Sequence, residues 1–377
     1  MMEKEKCFCY ENCNMPIERR ETGESSCFKK RWEDTFYGSP RPVPGKGEVL
    51  VQVKACGICG SDLRYLQGEN PWSEQTLGIK NENPDNIILG HEFAGDVVEA
   101  AAPEDKHLIG QKVAVISYKT CEICDFCRHD RMNLCKSTAH IGHGAGWDDM
   151  EYYPGGMAEF CQVWSSKVYP FHSISYEEAS TLDFLAVALA SVRKIPKIFA
   201  EDAVIIGAGP VGLMAAQLLK LNGARKVFCV DVLEYSFPIA EKMGADMCIL
   251  EDKDTGMKIQ EMTDGQGVGV VLDTVGAVES QKLAFQVCKA KGTIVNVASN
   301  ENVVRIPMTA LCGERSIVSV ANAKDAYFYD CLKMLEAGRI DVKPLLTDCL
   351  PLSQVHFAFE RLKNREETGA VKVILSP

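Results

Sequence analysis

Ala203-Val204-Ile205-Ile206-Gly207-Ala208-Gly209-Pro210-Val211-Gly212-Leu213 opens the stretch on which the reading of this chain turns, and Lys226-Val227-Phe228-Cys229-Val230-Asp231 closes it. Val204 to Ile206 form a short β-branched run, suited to a strand buried on both faces. Gly207, Gly209 and Gly212 follow with the spacing G-x-G-x-x-G. The first glycine permits a tight turn, the second a close approach of backbone to a pyrophosphate, the third tight packing of the next helix on the strand. The helix beginning at Pro210 and Val211 turns its free amides and the positive end of its dipole toward that phosphate. A second strand, Val227 to Val230, ends at Asp231, nineteen residues beyond Gly212. A carboxylate there accepts from a ribose 2′-hydroxyl and repels a 2′-phosphate. Gly207, Gly209, Pro210, Val211, Gly212 and Asp231 are therefore the candidate dinucleotide contacts. The competing reading is a glycine-rich βα turn with no ligand. No Lys or Arg follows Asp231 closely, so NAD is expected rather than NADP.

The 377 residues suffice for two domains. Hydrophobic residues make up 46 % and charged ones 25 %, and the formal net charge is −11 without a long basic run. That balance argues against nucleic acid or an anionic membrane as the main partner. The first residues, Met1-Met2-Glu3-Lys4-Glu5-Lys6-Cys7, carry no apolar run of the signal-peptide type. The longest apolar run contains the glycines and Pro210, so it reads as a buried βα unit and not as a membrane span. Seventeen cysteines are many. Without an export signal they read as thiols and metal ligands rather than disulfides, and the expected compartment is the cytoplasm.

Cys7, Cys9, Cys13 and Cys27 match no zinc spacing and read as free thiols or part of a leader. Pro40, Pro42, Pro44, Gly45 and Gly47 make a turn-rich connection. From Glu48 to Lys54, valines 49, 51 and 53 alternate as in a half-buried strand. Then comes Ala55-Cys56-Gly57-Ile58-Cys59-Gly60-Ser61-Asp62, and later Gly90-His91-Glu92 before a strand from Phe93 to Ala100. Each could be structural alone. Together they offer the sulfur, nitrogen and oxygen donors of a catalytic zinc.

Cys121, Cys124, Cys127 and Cys135 are spaced C-x₂-C-x₂-C-x₇-C. Four thiolates close a tetrahedral shell with no open position, which is a structural zinc site, and His129 inside the loop is then superfluous. An iron–sulfur cluster or idle thiols are the alternatives. His140, His143 and Trp147 fall in a glycine-rich loop that leads to Gly155-Gly156-Met157, a candidate wall of a substrate pocket. The two histidines read equally well as solvated. Asp183 is an acid in the apolar segment Leu182 to Ala190. Burying it without a cation is costly, so it is either a metal ligand or a helix N-terminal acid. After Asp231 the alternation continues, with strands at Val268 to Asp273, Thr293 to Val297 and Ile317 to Val320, and helices at Ala277 to Cys288 and Ala326 to Ala337. Pro351 to Leu362 reads as a further helix, and Val371 to Leu375 as a last strand. This is an α/β chain containing a doubly wound parallel sheet.

Taken together, these motifs resemble the zinc-containing medium-chain alcohol and polyol dehydrogenases, in particular the sorbitol, threonine and butanediol enzymes. The resemblance runs from about residue 40 nearly to the end of the chain. It implies a GroES-like, mostly β catalytic domain over residues 1–176 with the zinc loop at 121–135. It further implies a Rossmann domain over 177–324 and a return to the catalytic domain over 325–377. It makes Cys59, rather than Cys56, a ligand of a catalytic zinc, with His91 as the second ligand, Glu92 binding the metal directly or swinging in to replace water, and Asp183 a further ligand or an acid bonded to the metal's water. Cys121, Cys124, Cys127 and Cys135 hold the second zinc. Ser61 becomes the group that takes the substrate proton, Asp62 an acid that orients a ligand, and Tyr65 a substrate contact.

Where several relatives place a His to end a proton relay, this chain has Arg64. Where many place an Arg against the adenine, it has Ser236. The expected activity is reversible, NAD-dependent oxidation of a secondary alcohol to a ketone, with a polyol, sugar or cyclitol favoured. Amino alcohols such as threonine, small diols, and carbonyl reduction in the cell are the alternatives. Outside enzymes, a non-catalytic NAD-binding scaffold remains. The relatives imply a homodimer or homotetramer, with the strand near Ile317 as a pairing edge.

Overall fold

The computed structural model describes residues 6–7, 9–10, 37–38, 41–70, 72–78, 86–300 and 302–377. Cys13, Cys27 and Pro40 lie outside the described residues, as do the side chains of Cys7 and Cys9. The chain divides into two compact units. The first takes residues 1–183, 348–363 and 372–377, and the second takes 184–347 and 364–371. Residues 325–347 thus belong with the second unit, and the chain returns to the first only from Asp348, later than residue 325.

The first unit is built on a long strand, β1 (Glu48–Gly57). It pairs antiparallel along one edge with β2 (Glu92–Ala100). The sheet runs outward from β2 through β3 (Lys112–Val115) to β5 (Val168–Pro170). Along its other edge β1 pairs first with β4 (Phe160–Trp164) and then, at Cys56 and Gly57, with the last strand, Lys372–Ser376. The valine alternation suggests a half-exposed β1, yet Leu50 between the valines is also fully buried. The reason is that β1 has neighbours on both edges and the helix Tyr176–Ser180 packed against it and β2. Ser175 caps that helix reciprocally with Glu178, each side chain bonding the other's backbone N–H.

The second unit holds a six-stranded parallel sheet. Its first strand in sequence, β6 (Asp202–Ile206), is buried at every position and lies between β7 (Lys226–Asp231) and β9 (Val268–Asp273). The edges are β8 (Met247–Leu250), beyond β7, and β11 (Ser316–Ser319), beyond β10 (Cys288–Asn296). Numbered by chain, the order is 3-2-1-4-5-6, the doubly wound arrangement. β10 starts ahead of the expected Thr293 because a register shift at Val268/Val270 lets Cys288 pair with Val268. The expected helix over 351–362 begins instead at Val355 and runs to Lys363. Pro351 closes a strand, Leu346–Pro351, which lies beside Lys372–Ser376. Among the described residues no helix is long and apolar enough to cross a membrane.

Candidate catalytic, metal and cofactor sites

The register of β1 on β2 sets Gly57 opposite Glu92 and Cys56 opposite Phe93. Two sequence motifs more than thirty residues apart therefore meet at one end of the ladder. Immediately after β1, Cys59 precedes helix α1 (Gly60–Leu66), whose first turn holds Ser61 and Asp62. One donor atom each from Cys59, His91 and Glu92 falls within 4.8 Å of the others. His91 Nε2 lies 3.4 Å from Ser61 Oγ, and its Nδ1 lies 3.4 Å from Asp62 Oδ1. The other Asp62 oxygen accepts from the Cys59 N–H at 2.8 Å. Burial opposes charge on His91, but Asp62 and Cys59 outweigh it and hold the imidazole well above its ordinary pKa.

His91 Nδ1, Asp62 Oδ1 and Glu92 Oε1 are buried with no hydrogen-bond partner. A zinc bound by thiolate, imidazole and carboxylate fits this donor set. It would use His91 Nε2, with Asp62 behind Nδ1 fixing the ring. Cys56 stays outside the group, buried in β1, where burial first and Asp62 second raise its thiol pKa well above the ordinary value. Asp183 also stands outside it. It occupies the first turn of helix α2 (Leu182–Val192), where burial pushes its carboxyl up to about 6 against the lowering pull of His91.

Reading the sequence missed Lys372. It is 2 % exposed, donates to the Ile58 carbonyl at 2.9 Å, and forms an ion pair with Glu92 Oε2, itself 1 % exposed. The available signal was a lysine inside Val371-Lys372-Val373-Ile374-Leu375, the same anomaly that singled out Asp183. The pair needs Gly57, because a Cβ there would stand 2.7 Å from Glu92 Oε2 and 2.9 Å from Lys372 Cε. Arg64 donates to Glu69 at 2.6 Å, and Tyr65 is buried in the same helix, where burial pushes its hydroxyl well above the ordinary pKa.

His140 and His143, read above as equally well solvated, are buried. The loop carrying them folds inward because Ile141 N–H bonds the Ser117 carbonyl and Gly142 N–H bonds that of Pro154. Their rings stack at 4.1 Å, and Trp72 lies 4.9 Å from each. Burial pushes both imidazoles well below the ordinary pKa, helped by His91 beside His140 and by both other histidines beside His143.

The four-cysteine loop rises from the short pair Tyr118–Thr120 and Thr138–His140. Sulfur separations are 3.5 Å for Cys124–Cys127, 3.5 Å for Cys121–Cys135 and 3.8 Å for Cys124–Cys135. A tetrahedron with ~2.3 Å zinc–sulfur bonds has edges of ~3.8 Å, so the four fit one ion. Backbone N–H groups of Ile123 and Cys124 bring the Cys121 thiol down to about 6. His129 turns to the Asp125 carbonyl at 2.8 Å and is not in the group.

In the second unit, Gly209 caps helix α3 (Pro210–Leu221), with Pro210 in its first turn and Val211 after it. A Cβ on Gly209 would meet nothing within 4 Å, which leaves an open cradle at the helix N-terminus. A Cβ on Gly212 would come 2.0 Å from the Gly207 carbonyl oxygen. Asp231, at the end of β7, accepts from Ala208 N–H at 2.6 Å and Leu233 N–H at 3.0 Å. A helix N-terminus left open by a glycine, beside a carboxylate at the end of the next strand, fits a dinucleotide. Ser236 is fully buried, and its hydroxyl has no hydrogen-bond partner.

Two family models match the chain. One, described as "Alcohol dehydrogenase GroES-like domain", matches residues 45–173. The other, described as "Zinc-binding dehydrogenase", matches 210–337. The chain is 29 % identical over 347 residues to an L-threonine 3-dehydrogenase of Coxiella burnetii, covering 90 % of this chain and 95 % of that one. It is 28 % identical over 348 residues to a sorbitol dehydrogenase of Arabidopsis thaliana, covering 89 % and 90 %. The crystal structure of L-idonate 5-dehydrogenase from Escherichia coli superposes with a TM-score of 0.74 at 27 % identity, over 88 % of this chain and 91 % of that one. Two matched domains that together span more than half of the sequence, around these donor groups and this glycine turn, make the chain a member of the zinc-containing medium-chain alcohol dehydrogenase family.

Proposed function

We propose that this protein oxidises a secondary alcohol of a polyol, sugar or cyclitol reversibly to the ketone, using NAD and two zinc ions per chain. The observation that carries the proposal is the meeting of Cys59, His91 and Glu92 with Ser61 3.4 Å from His91 Nε2. When bound, zinc supplies Lewis-acid polarisation of a substrate oxygen, and NAD supplies the hydride acceptor. Ser61 receives the hydroxyl proton. Arg64, in the same helix, is held by Glu69 and does not extend the relay. Asp62 keeps His91 in one orientation. Lys372 holds one oxygen of Glu92 and leaves the other for a metal. Asp231 accepts from a ribose hydroxyl and disfavours a 2′-phosphate, so NAD is preferred to NADP.

A threonine-type amino alcohol is the competing substrate class, supported by the 29 % relative. The protein is further proposed to work in the cytoplasm, where thiolates stay reduced, as a homo-oligomer pairing through β11.

The test is NADH formation against polyols, cyclitols and threonine, with and without a zinc chelator. Turnover on one class that the chelator abolishes is expected. Chelator-insensitive turnover, or none from protein holding two zincs, would overturn the reading. Ser61→Ala is expected to lower kcat by ~10²–10³-fold, the range for a lost proton-transfer group, with metal content unchanged. Replacing the buried Cys135 by Ser should remove one zinc per chain by elemental analysis. It should also lower Tm by ~5–10 °C, taking ~2–3 kcal/mol at ~2–4 °C each.

A further inference from the structure

Beside His91 stand two histidines that the proton path does not use. The His91 and His140 rings are 5.7 Å apart, and Tyr65 lies 5.0 Å from His143. Backbone partners set the two rings in opposite tautomers. His140 Nδ1 is 2.6 Å from the Ile141 carbonyl, which can only accept, so the proton sits on Nδ1 and Nε2 is left as an acceptor. His143 Nδ1 receives the Ala145 N–H at 3.3 Å, so its own proton sits on Nε2. That Nε2–H is buried and has no hydrogen-bond partner, in a side chain that is 0 % exposed. Leaving a buried donor unmatched is unfavourable, and such groups persist where a ligand completes them.

We propose that His143, with His140, reads a second hydroxyl of the substrate, so that the site selects neutral diols and polyols over both simple alcohols and amino acids. The inference rests on the alcohol-oxidising reading and names its substrate class. A hydroxyl accepts from His143 Nε2–H and donates to His140 Nε2. A carboxylate has no proton for His140, and an ammonium has no lone pair for His143. The cage of Tyr65, Trp72, His140 and His143 holds no charge of its own to balance either ion. The ammonium of Lys372 is engaged by Glu92. A site built to bond a hydroxyl rejects the analogue lacking it far more strongly than an apolar pocket does.

The experiment compares matched pairs on the zinc- and NAD-loaded protein: 2-butanol with 2,3-butanediol, and cyclohexanol with 1,2-cyclohexanediol, with threonine alongside. Wild type is expected to favour the diol by ~100-fold or more in kcat/KM. His143→Phe keeps a ring but no donor, and the diol-to-monoalcohol ratio should collapse toward one. His143→Asn restores a donor and should recover part of it. A general packing defect would depress both members of a pair alike and leave the ratio unchanged. Equal ratios in wild type and His143→Phe, or a wild-type preference for threonine or the monoalcohol, would overturn the inference. Diol binding to the loaded protein, followed by ligand-observed NMR, separates the two readings. Binding that depends on His143 without turnover would sustain this inference and sink the proposed reaction. Turnover with His143-independent binding would do the reverse.

Discussion

Cys59→Ala is expected to abolish alcohol oxidation, lowering kcat/KM by ~10⁴-fold or more, and to reduce zinc from two ions per chain to one. Among the described residues, only Cys59, His91 and Glu92 converge in this way outside the four-cysteine loop. A catalytic zinc needs three protein ligands and an open position, so two remaining donors cannot retain it at ordinary concentrations. The effect on activity is large because, on the proposed function, the ion held there would supply the charge stabilisation at the reacting oxygen. The fold should survive. Cys59 is only partly buried, and the strand before it remains anchored through β2 and β4. Elemental analysis with a thermal melt checks both halves. A variant with wild-type turnover, or one that still holds two zincs, would show that the three donors are not the catalytic metal site.

The second large effect concerns stability. Measured in chelator, with no metal on Glu92, Lys372→Met is expected to destabilise the protein by ~3–5 kcal/mol, because it strands a buried carboxylate without its partner. Glu92 and Lys372 are both almost fully inaccessible, and Lys372 also donates to the Ile58 carbonyl. Replacing both members, as in Glu92→Gln with Lys372→Met, should recover most of the loss, since a neutral pair leaves no uncompensated charge. Denaturant unfolding of the wild type, both single variants and the double variant gives the coupling directly. Additive losses would mean that the two groups do not act as a pair. Burial lowers the Lys372 pKa, while Glu92 raises it and wins, so the value lies above the ordinary 10.5. A raised folded-state pKa on a lysine means that its stabilisation is complete below the unfolded value. It fades only as pH rises through the folded one. The Lys372 contribution should therefore be constant across neutral pH and lost in strongly alkaline solution.

The parts of this protein that could be read from sequence are those whose chemistry is local. Gly207, Gly209, Gly212 and Asp231 belong to one βα turn and the strand after it. The four cysteines fall within fifteen residues, so spacing alone brings their sulfurs together. Cys59, Ser61 and Asp62 share one helix start, and His91 adjoins Glu92. Their chemical types announced a donor set before any contact was known.

Tertiary structure decided the rest, because it depends on register and on burial. Pairing of Gly57 with Glu92 joined the two halves of the donor group. Pairing of Gly57 with Ile374 delivered Lys372, 280 residues away from Glu92 in sequence. Asp183 carries the right chemistry but sits on a helix turn outside the three donors. His140 and His143 look like polar loop residues until the Ser117 and Pro154 carbonyls draw their segment inward. Sequence alone therefore determined the fold class, the cofactor turn and the types of metal ligand, all set by short-range spacing. The partner of Glu92, the position of Asp183 outside the three-donor group and the buried histidine pair follow from strand register and packing, which bring together residues that no local pattern connects.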